Sequence, residues 1–145
     1  MKILSLLLLT IFLGNGCGSA KAQDIETTVI EYTANTRGFY QKITVKNQML
    51  TVSKDRDAKD KPVPQKLSDT DWKELVTCFT SVKLDSLSKL KAPSEKRFHD
   101  GAAIAKLKIT IKEKAYETTS FDHGFPPKEI KKFVNTITSL AKKYN

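Results

Sequence analysis

Ala103, Ala105, Leu107, Ile109 and Ile111 recur at every second position, with Lys106, Lys108, Thr110 and Lys112 between them. A repeat of two puts one set of side chains on each side of an extended chain, so this stretch is a strand with one dry and one wet face. A strand of this kind cannot stand alone. It needs hydrogen-bonding neighbours along its edges and an apolar layer to cover its dry side.

The neighbours are visible in the same pattern. Thr27 to Ala34 is rich in β-branched and aromatic residues, including Val29, Ile30 and Tyr32, and Asn35-Thr36-Arg37-Gly38 supplies turn chemistry. Phe39, Ile43 and Val45 then alternate with Tyr40, Lys42, Thr44 and Lys46. Asn47-Gln48 makes a second tight turn, after which Leu50 and Val52 alternate with Thr51 and Ser53. These segments predict a three-stranded antiparallel meander. Glu113-Lys114 turns the Ala103–Ile111 strand back on itself, and Ala115 to Phe121 reads as a fifth strand.

The covering layer comes from two helices. Ser68 is an N-cap with Asp69 and Asp71 in the first turn, and Trp72, Leu75, Val76 and Phe79 form one apolar stripe. Leu84, Leu87 and Leu90 suggest a further short helical turn, ended at Ala92-Pro93. Pro127 suits the first turn of the last helix, whose stripe is Ile130, Phe133, Val134, Ile137, Leu140, Ala141 and Tyr144. Between strand and helix, Lys54 to Lys66 holds five basic residues, three aspartates and two prolines, the composition of a solvated loop. The expected fold class is α+β: an antiparallel sheet of about five strands, in the order β-β-β-α-β-β-α, with two helices packed on one face and the other face open to water.

The chain opens differently. Lys2 precedes a wholly different stretch, Ile3 to Leu13, which is almost entirely apolar, and small and polar residues follow from Gly14 to Ala22. This is the order of regions in a secretory signal, and the apolar run is about half the roughly twenty residues that a membrane-spanning helix needs. Ala20-Lys21-Ala22 fits a small-x-small cleavage site, which makes 1–22 a signal peptide and 23–145 a single α+β domain. Alternatively, Leu13-Gly14-Asn15-Gly16-Cys17 approximates a lipobox, which would make 1–16 the signal and Cys17 the lipidated N-terminus. Its leucine lies four residues before the cysteine rather than three. Either way Cys78 is left without an intramolecular cysteine partner, so the fold has to stand without a disulfide.

Of the 25 basic and 16 acidic residues, only Lys2 and Lys21 precede Gln23, so the mature part holds 23 and 16, a formal net charge of +7. A basic exported domain is suited to an anionic envelope ligand or a protein partner. No nucleic-acid-reading motif is present, and contact with a membrane is expected only through a lipid on Cys17. No cofactor signature is present either: nucleotide-binding glycine loops, H-E-x-x-H and G-x-S-x-G are all missing.

Two groups of residues are candidates for a site. The first is a pair of His/Asp dipeptides, His99-Asp100 just before the fourth strand and Asp122-His123 just after the fifth. If these strands form a hairpin, the two loops end at the same edge of the sheet, and two imidazoles with two carboxylates are the groups of a divalent-metal or acid–base site. The competing expectation is turn chemistry: Asp before Gly is common in turns, and Asp122 suits the cap of the last helix. The second group is Lys42, Lys46, Lys106, Lys108 and Lys112, all on the wet face, a platform for an anion or a set of solubilising charges. No residue is assigned a catalytic role and no metal set is complete.

Tyr32 with Thr36-Arg37-Gly38, Ala92-Pro93-Ser94, Asp100-Gly101-Ala102 and Phe121-Asp122-His123-Gly124 with Pro126-Pro127 give the mature chain its resemblance to small uncharacterised exported proteins, some of them lipoproteins, of Bacteroidetes-type bacteria. The resemblance implies a location in the envelope and brings no activity with it. The resulting expectation is an exported envelope protein that acts as a non-enzymatic binding or interaction module. The alternatives are a secreted inhibitor-like module that presents the Lys54–Lys66 loop, and a small metal-dependent enzyme built on His99, Asp100, Asp122 and His123.

Overall fold

The structure is a computed structural model that describes residues 22–145; Cys17, the apolar N-terminal run and the Ala20-Lys21 part of the expected cleavage site lie outside the described residues. The fold is α+β. A 3-10 turn at Ala22–Thr27 leads into the meander β1 (Val29–Thr36), β2 (Phe39–Lys46) and β3 (Met49–Ser53), all three antiparallel. The long alternating strand, β5 (Ile104–Ile111), pairs with β1, so the first strand of the chain lies inside the sheet, between β2 and β5. Helix α1 (Asp69–Thr80) and helix α2 (Lys131–Tyr144) cover one face, with the Phe79 and Phe133 rings packed at 5.9 Å. Among the described residues no helix is long and apolar enough to cross a membrane.

The core follows the sequence periodicities. Ile30, Tyr32 and Ala34 of β1, Ile43 and Val45 of β2, Leu50 and Val52 of β3, and Ala105, Leu107 and Ile109 of β5 are buried on one side of the sheet. The α1 and α2 stripes close over them, through Leu75 and Phe79 and through Phe133, Val134, Ile137, Leu140 and Ala141. Ser68 caps α1 by accepting the Asp71 N–H, which meets one of the unpaired donors of the first turn. Cys78 is buried against this layer with its Sγ 3.6 Å from the Thr136 hydroxyl, and it is a free thiol.

The sheet has seven strands rather than about five, for two reasons. The Lys54–Lys66 segment, although mostly exposed, ends in a short strand, β4 (Gln65–Lys66), which pairs with Met49 and Leu50. Its start is also tied down. The Asp60 carboxylate accepts from the Ser53 hydroxyl and the Lys54 N–H, and the Arg56 guanidinium donates to the Thr36 carbonyl.

The second reason lies in the segment read as one fifth strand, Ala115 to Phe121, which is broken in the middle. It forms β6 (Lys114–Glu117) and β7 (Phe121–Asp122), both paired with β5. Glu117 faces Lys108 and Phe121 faces Ala105, so three residues, Thr118, Thr119 and Ser120, stand opposite two, Leu107 and Lys106. That one-residue excess is a β-bulge. It shifts the phase of the strand so that Phe121 faces the core and is fully buried. The buried Thr118 hydroxyl accepts the Leu107 N–H, so the break leaves that donor satisfied.

The β5–β6 turn uses Lys112 and Glu113, both at positive φ (47° and 70°), one residue earlier than Glu113-Lys114. Neither residue type favours that conformation, but the two-residue hairpin needs it because the strand twist requires a primed turn. Asn47 and Gln48 at the β2–β3 turn do the same, with φ of 49° and 61°.

Candidate functional site

The bulge and the Ser94–Asp100 segment together build one end of the sheet. Phe121 and Asp122 are neighbours in a strand, so their side chains go to opposite faces. Phe121 enters the core. Asp122 goes to the other face, where a segment folded over it leaves none of it exposed. Its carboxylate accepts from the Ser94 hydroxyl at 2.6 Å, the Lys96 N–H at 2.8 Å, the Arg97 N–H at 3.0 Å and the Arg97 guanidinium at 3.0 Å. Burial alone would raise this carboxyl. The donors outweigh it, and hold the group well below the ordinary carboxylate range.

Asp122 therefore caps a helix, but not the one expected. It caps the 3-10 turn Lys96–His99, whose first N–H groups it receives, rather than the start of α2. The turn ahead of β5 carries no periodicity to announce it, so spacing points only to the helix that follows Asp122 in the chain. Arg97 completes the arrangement. Its Nη1 also donates to the Ser94 carbonyl, and its Nε donates to the Ser120 hydroxyl within the bulge.

His123 comes next in the chain and returns to the core side. Its Nδ1 lies 2.7 Å from the hydroxyl of Tyr32, the fully buried tyrosine at the centre of β1. Burial pushes the Tyr32 phenol upward, so it stays protonated and is the donor. Burial, with the Lys142 ammonium adding to it, pushes His123 below its ordinary value of 6.5 and keeps the imidazole neutral. The remaining pair, His99 and Asp100, is exposed. Asp100 itself takes the left-handed conformation, at φ 55°, at the end of the 3-10 turn.

The two loops do come together, since Asp122 accepts from backbone groups two and three residues before His99. The four side chains do not form one set. Asp122 is saturated by donors on one face, His123 is engaged by Tyr32 on the other, and His99 and Asp100 face solvent. Among the described residues, no group of three or more His, Cys, Asp and Glu side chains is placed to hold a metal ion.

The lysine platform is also altered by residues that the alternation did not bring out. Lys42 lies 2.7 Å and Lys108 3.8 Å from Glu31, Lys106 lies 3.1 Å from Glu117, and Lys112 lies 3.8 Å from Asp24. Glu31 sits on β1 between β2 and β5, so it is flanked by lysines on both sides. The hydrogen bond from Lys42 to Glu31 raises the Lys42 ammonium. A groove of about 210 Å³ lined by Glu31, Thr33, Lys42, Lys106, Lys108 and Glu117 thus has charges of both signs. Lys46 lies apart, beside Thr44, Asn47, Met49, Thr51 and Pro64.

Four large apolar side chains outside the candidate groups are exposed at this same end: Phe98 (64 %), Phe125 (49 %), Ile104 (41 %) and Phe39 (40 %). They are linked to the Asp122–His123 dipeptide in every case. Ile104 and Phe125 both pair with Asp122, Phe39 stacks on His123 at 5.6 Å, and the Arg97 guanidinium held by Asp122 lies 4.3 Å from the Phe98 ring centre. The Lys96 ammonium lies 4.7 Å from the centre of the Phe125 ring. A signal was available in Phe98 and Phe125, each of which stands in a turn sequence where no core-facing stripe accounts for it.

No protein-family model matches the chain, and neither a curated protein nor a solved structure matches it.

Proposed function

We infer that this chain is an exported protein of the cell envelope that acts by binding, with its contact surface at the end of the sheet where the Ser94–Asp100 and Phe121–Phe125 segments meet. The observation that carries this reading is the gathering of Phe39, Phe98, Ile104 and Phe125 around Asp122 and His123. Contiguous exposed apolar groups are uncommon on soluble domains, and they mark places where another molecule takes the place of water. The groups with catalytic chemistry are otherwise occupied here. Asp122 and His123 hold the two segments in position, which supports a role as scaffold for the apolar surface. Export rests on the N-terminal apolar run followed by Ala20-Lys21-Ala22, and on the basic mature part.

The test is photo-crosslinking in the intact envelope, with a benzophenone amino acid at position 98 and, as a control, at position 114 on the far side of the molecule. The expected result is a discrete crosslinked species, protein or lipid, from position 98 and none from position 114. Equal labelling from both positions would remove the assignment of the contact surface. Mass spectrometry of the same material, finding Gln23 or an acylated Cys17 first, tests export and separates the two processing routes.

A further inference from the structure

We propose that the exposed aromatic end is a membrane-docking ridge, which seats Phe98 and Phe125 in the interface of an anionic lipid layer. The proposal rests on the reading of this end as the contact surface, and adds what it contacts.

Shape favours a lipid layer over a peptide. The four apolar side chains come from separate elements: Phe39 from the β1–β2 hairpin, Phe98 from the 3-10 turn, Ile104 from the start of β5 and Phe125 from the turn after β7. They sit at one end of the sheet, away from the grooves lined by Leu50 and Tyr144, by Glu74 and Lys132, by Glu31 and Lys108, and by Thr44 and Pro64. A peptide segment is held by a groove with pockets for its side chains. Apolar groups carried on four separate segments, with no single strand or helix to offer a continuous edge, suit a surface that deforms around them, as the headgroup and upper acyl region of a bilayer does.

Charge favours an anionic layer. Phe125 carries the Lys96 ammonium on its ring, and Phe98 carries the Arg97 guanidinium. Lys96 is exposed and has a long apolar stem, so its ammonium can meet a lipid phosphate while the adjacent ring sits below it. Arg97 contributes no free charge because Asp122 neutralises it; its part is to fix the Phe98 backbone and ring. Arg37, two residues before Phe39, and Lys128, three after Phe125, are further exposed cations, while Glu95, Asp100 and Glu129 are the exposed acids of the same segments. The mature part as a whole carries +7, which draws it toward an anionic leaflet over the range of the surface potential.

The experiment is co-sedimentation of the exported protein with vesicles. It carries Cys17→Ser, so that no acyl chain contributes. One set of vesicles is phosphatidylglycerol in phosphatidylethanolamine, and the other is phosphatidylcholine alone. The expected result is binding to the first set, weakened by salt, and at least about tenfold weaker binding to the second. Phe98→Ser with Phe125→Ser should lower binding at least about tenfold, while Val63→Ser, which removes an exposed apolar group elsewhere, should leave it unchanged. Lys96→Gln should lower both the affinity and its salt dependence. A second readout does not depend on these substitutions being tolerated: Phe98→Trp should give emission that shifts to the blue on adding the anionic vesicles.

No binding to the phosphatidylglycerol vesicles overturns the proposal, as does wild-type binding by the double serine variant. Dimers that form with rising concentration and are abolished by that variant would also overturn it, because the ridge would then be a contact between two copies. Protein crosslinks from position 98 together with failure on vesicles would leave the contact surface standing and remove only the lipid.

Discussion

The Arg97 guanidinium meets the Asp122 carboxylate at 3.0 Å with 7 % and 0 % of their side-chain surfaces exposed. A pair this deeply buried is held together by what its loss would leave behind. Two charges taken out of water recover the cost only when each has the other and the remaining hydrogen-bonding positions are filled. Here Ser94, Lys96 and Arg97 fill those of Asp122, and the Ser94 carbonyl and Ser120 hydroxyl accept two further bonds from Arg97.

Asp122→Asn should therefore be costly despite its similar shape. The amide turns one acceptor into a donor facing other donors, and it strands the Arg97 charge. The expected loss of unfolding free energy is about 3 kcal/mol, at the lower end of what breaking a buried pair costs. Urea denaturation followed by circular dichroism measures it. A loss within about 0.5 kcal/mol, the scale of ordinary surface changes, would mean that water reaches this carboxylate.

Two groups predict how stability depends on pH, and they act in the same direction. His123 has a folded value below 6.5, so its contribution is complete above that pH and is lost as the pH falls through the folded value. Asp122 has a folded value below 3.8, so its contribution is complete above that pH and is lost in the more acidic range. Stability should thus fall in two steps on acidification, the first below about pH 6.5 and the second below about pH 4. His123→Gln should abolish the first step and leave the second. Tyr32→Phe should cost about 1 kcal/mol at neutral pH through the lost hydrogen bond. Unfolding midpoints across the pH range are the measurement, and a first step that survives His123→Gln would assign it to another group.

Much of this fold was legible because its elements are stripes. The meander, the Ala105–Ile111 alternation and the helix faces each repeat at a period that burial selects, so Leu107 or Ile137 could be placed from spacing alone. The bulge was not legible. It depends on a mismatch between two strands, three residues against two, and a mismatch has no period in either strand. The candidate site was read in part for the same reason. Proximity of the two His/Asp loops follows from the β5–β7 hairpin, but the division of Asp122 and His123 between two faces follows from strand alternation. The four residues therefore cannot form one set. Glu31 and Glu117 carry no periodicity of their own: Glu31 falls at a wet position of its strand like the lysines around it, and only the pairing of strands shows which lysine each acid meets.

Those acids make the open face testable. Glu31 lies between Lys42 and Lys108, so Glu31→Gln should free two cations and raise the net charge by one. The pairs are partly exposed, and the expected change in stability is below about 1 kcal/mol. Retention on heparin should rise, with elution at higher salt. If elution is unchanged, the face does not respond to anions even when its lysines are released.

The bulge supports the strictest prediction. Deleting Thr119 would leave Thr118 and Ser120 opposite Leu107 and Lys106, so the β6 register would run unbroken with Phe121 still opposite Ala105 and Asp122 still opposite Ile104. The deletion removes the bulge and the Thr119 hydrogen bond to the Leu90 carbonyl but keeps both faces, so its cost should stay near about 1 kcal/mol. Adding one alanine after Thr119, with the bulge held to one extra residue, would instead put Ser120 opposite Ala105 and Phe121 opposite Ile104, on the wet face. A one-residue slip exchanges the two faces of every residue beyond it. The chain would then have to expose a large ring, or give up the β5–β7 pairing and with it the seat of Arg97. The loss of a fully buried phenylalanine alone is about 3 kcal/mol or more. Comparing the two variants by chemical denaturation tests the register directly, and equal costs would show that the residue count of this segment does not set the face of Phe121.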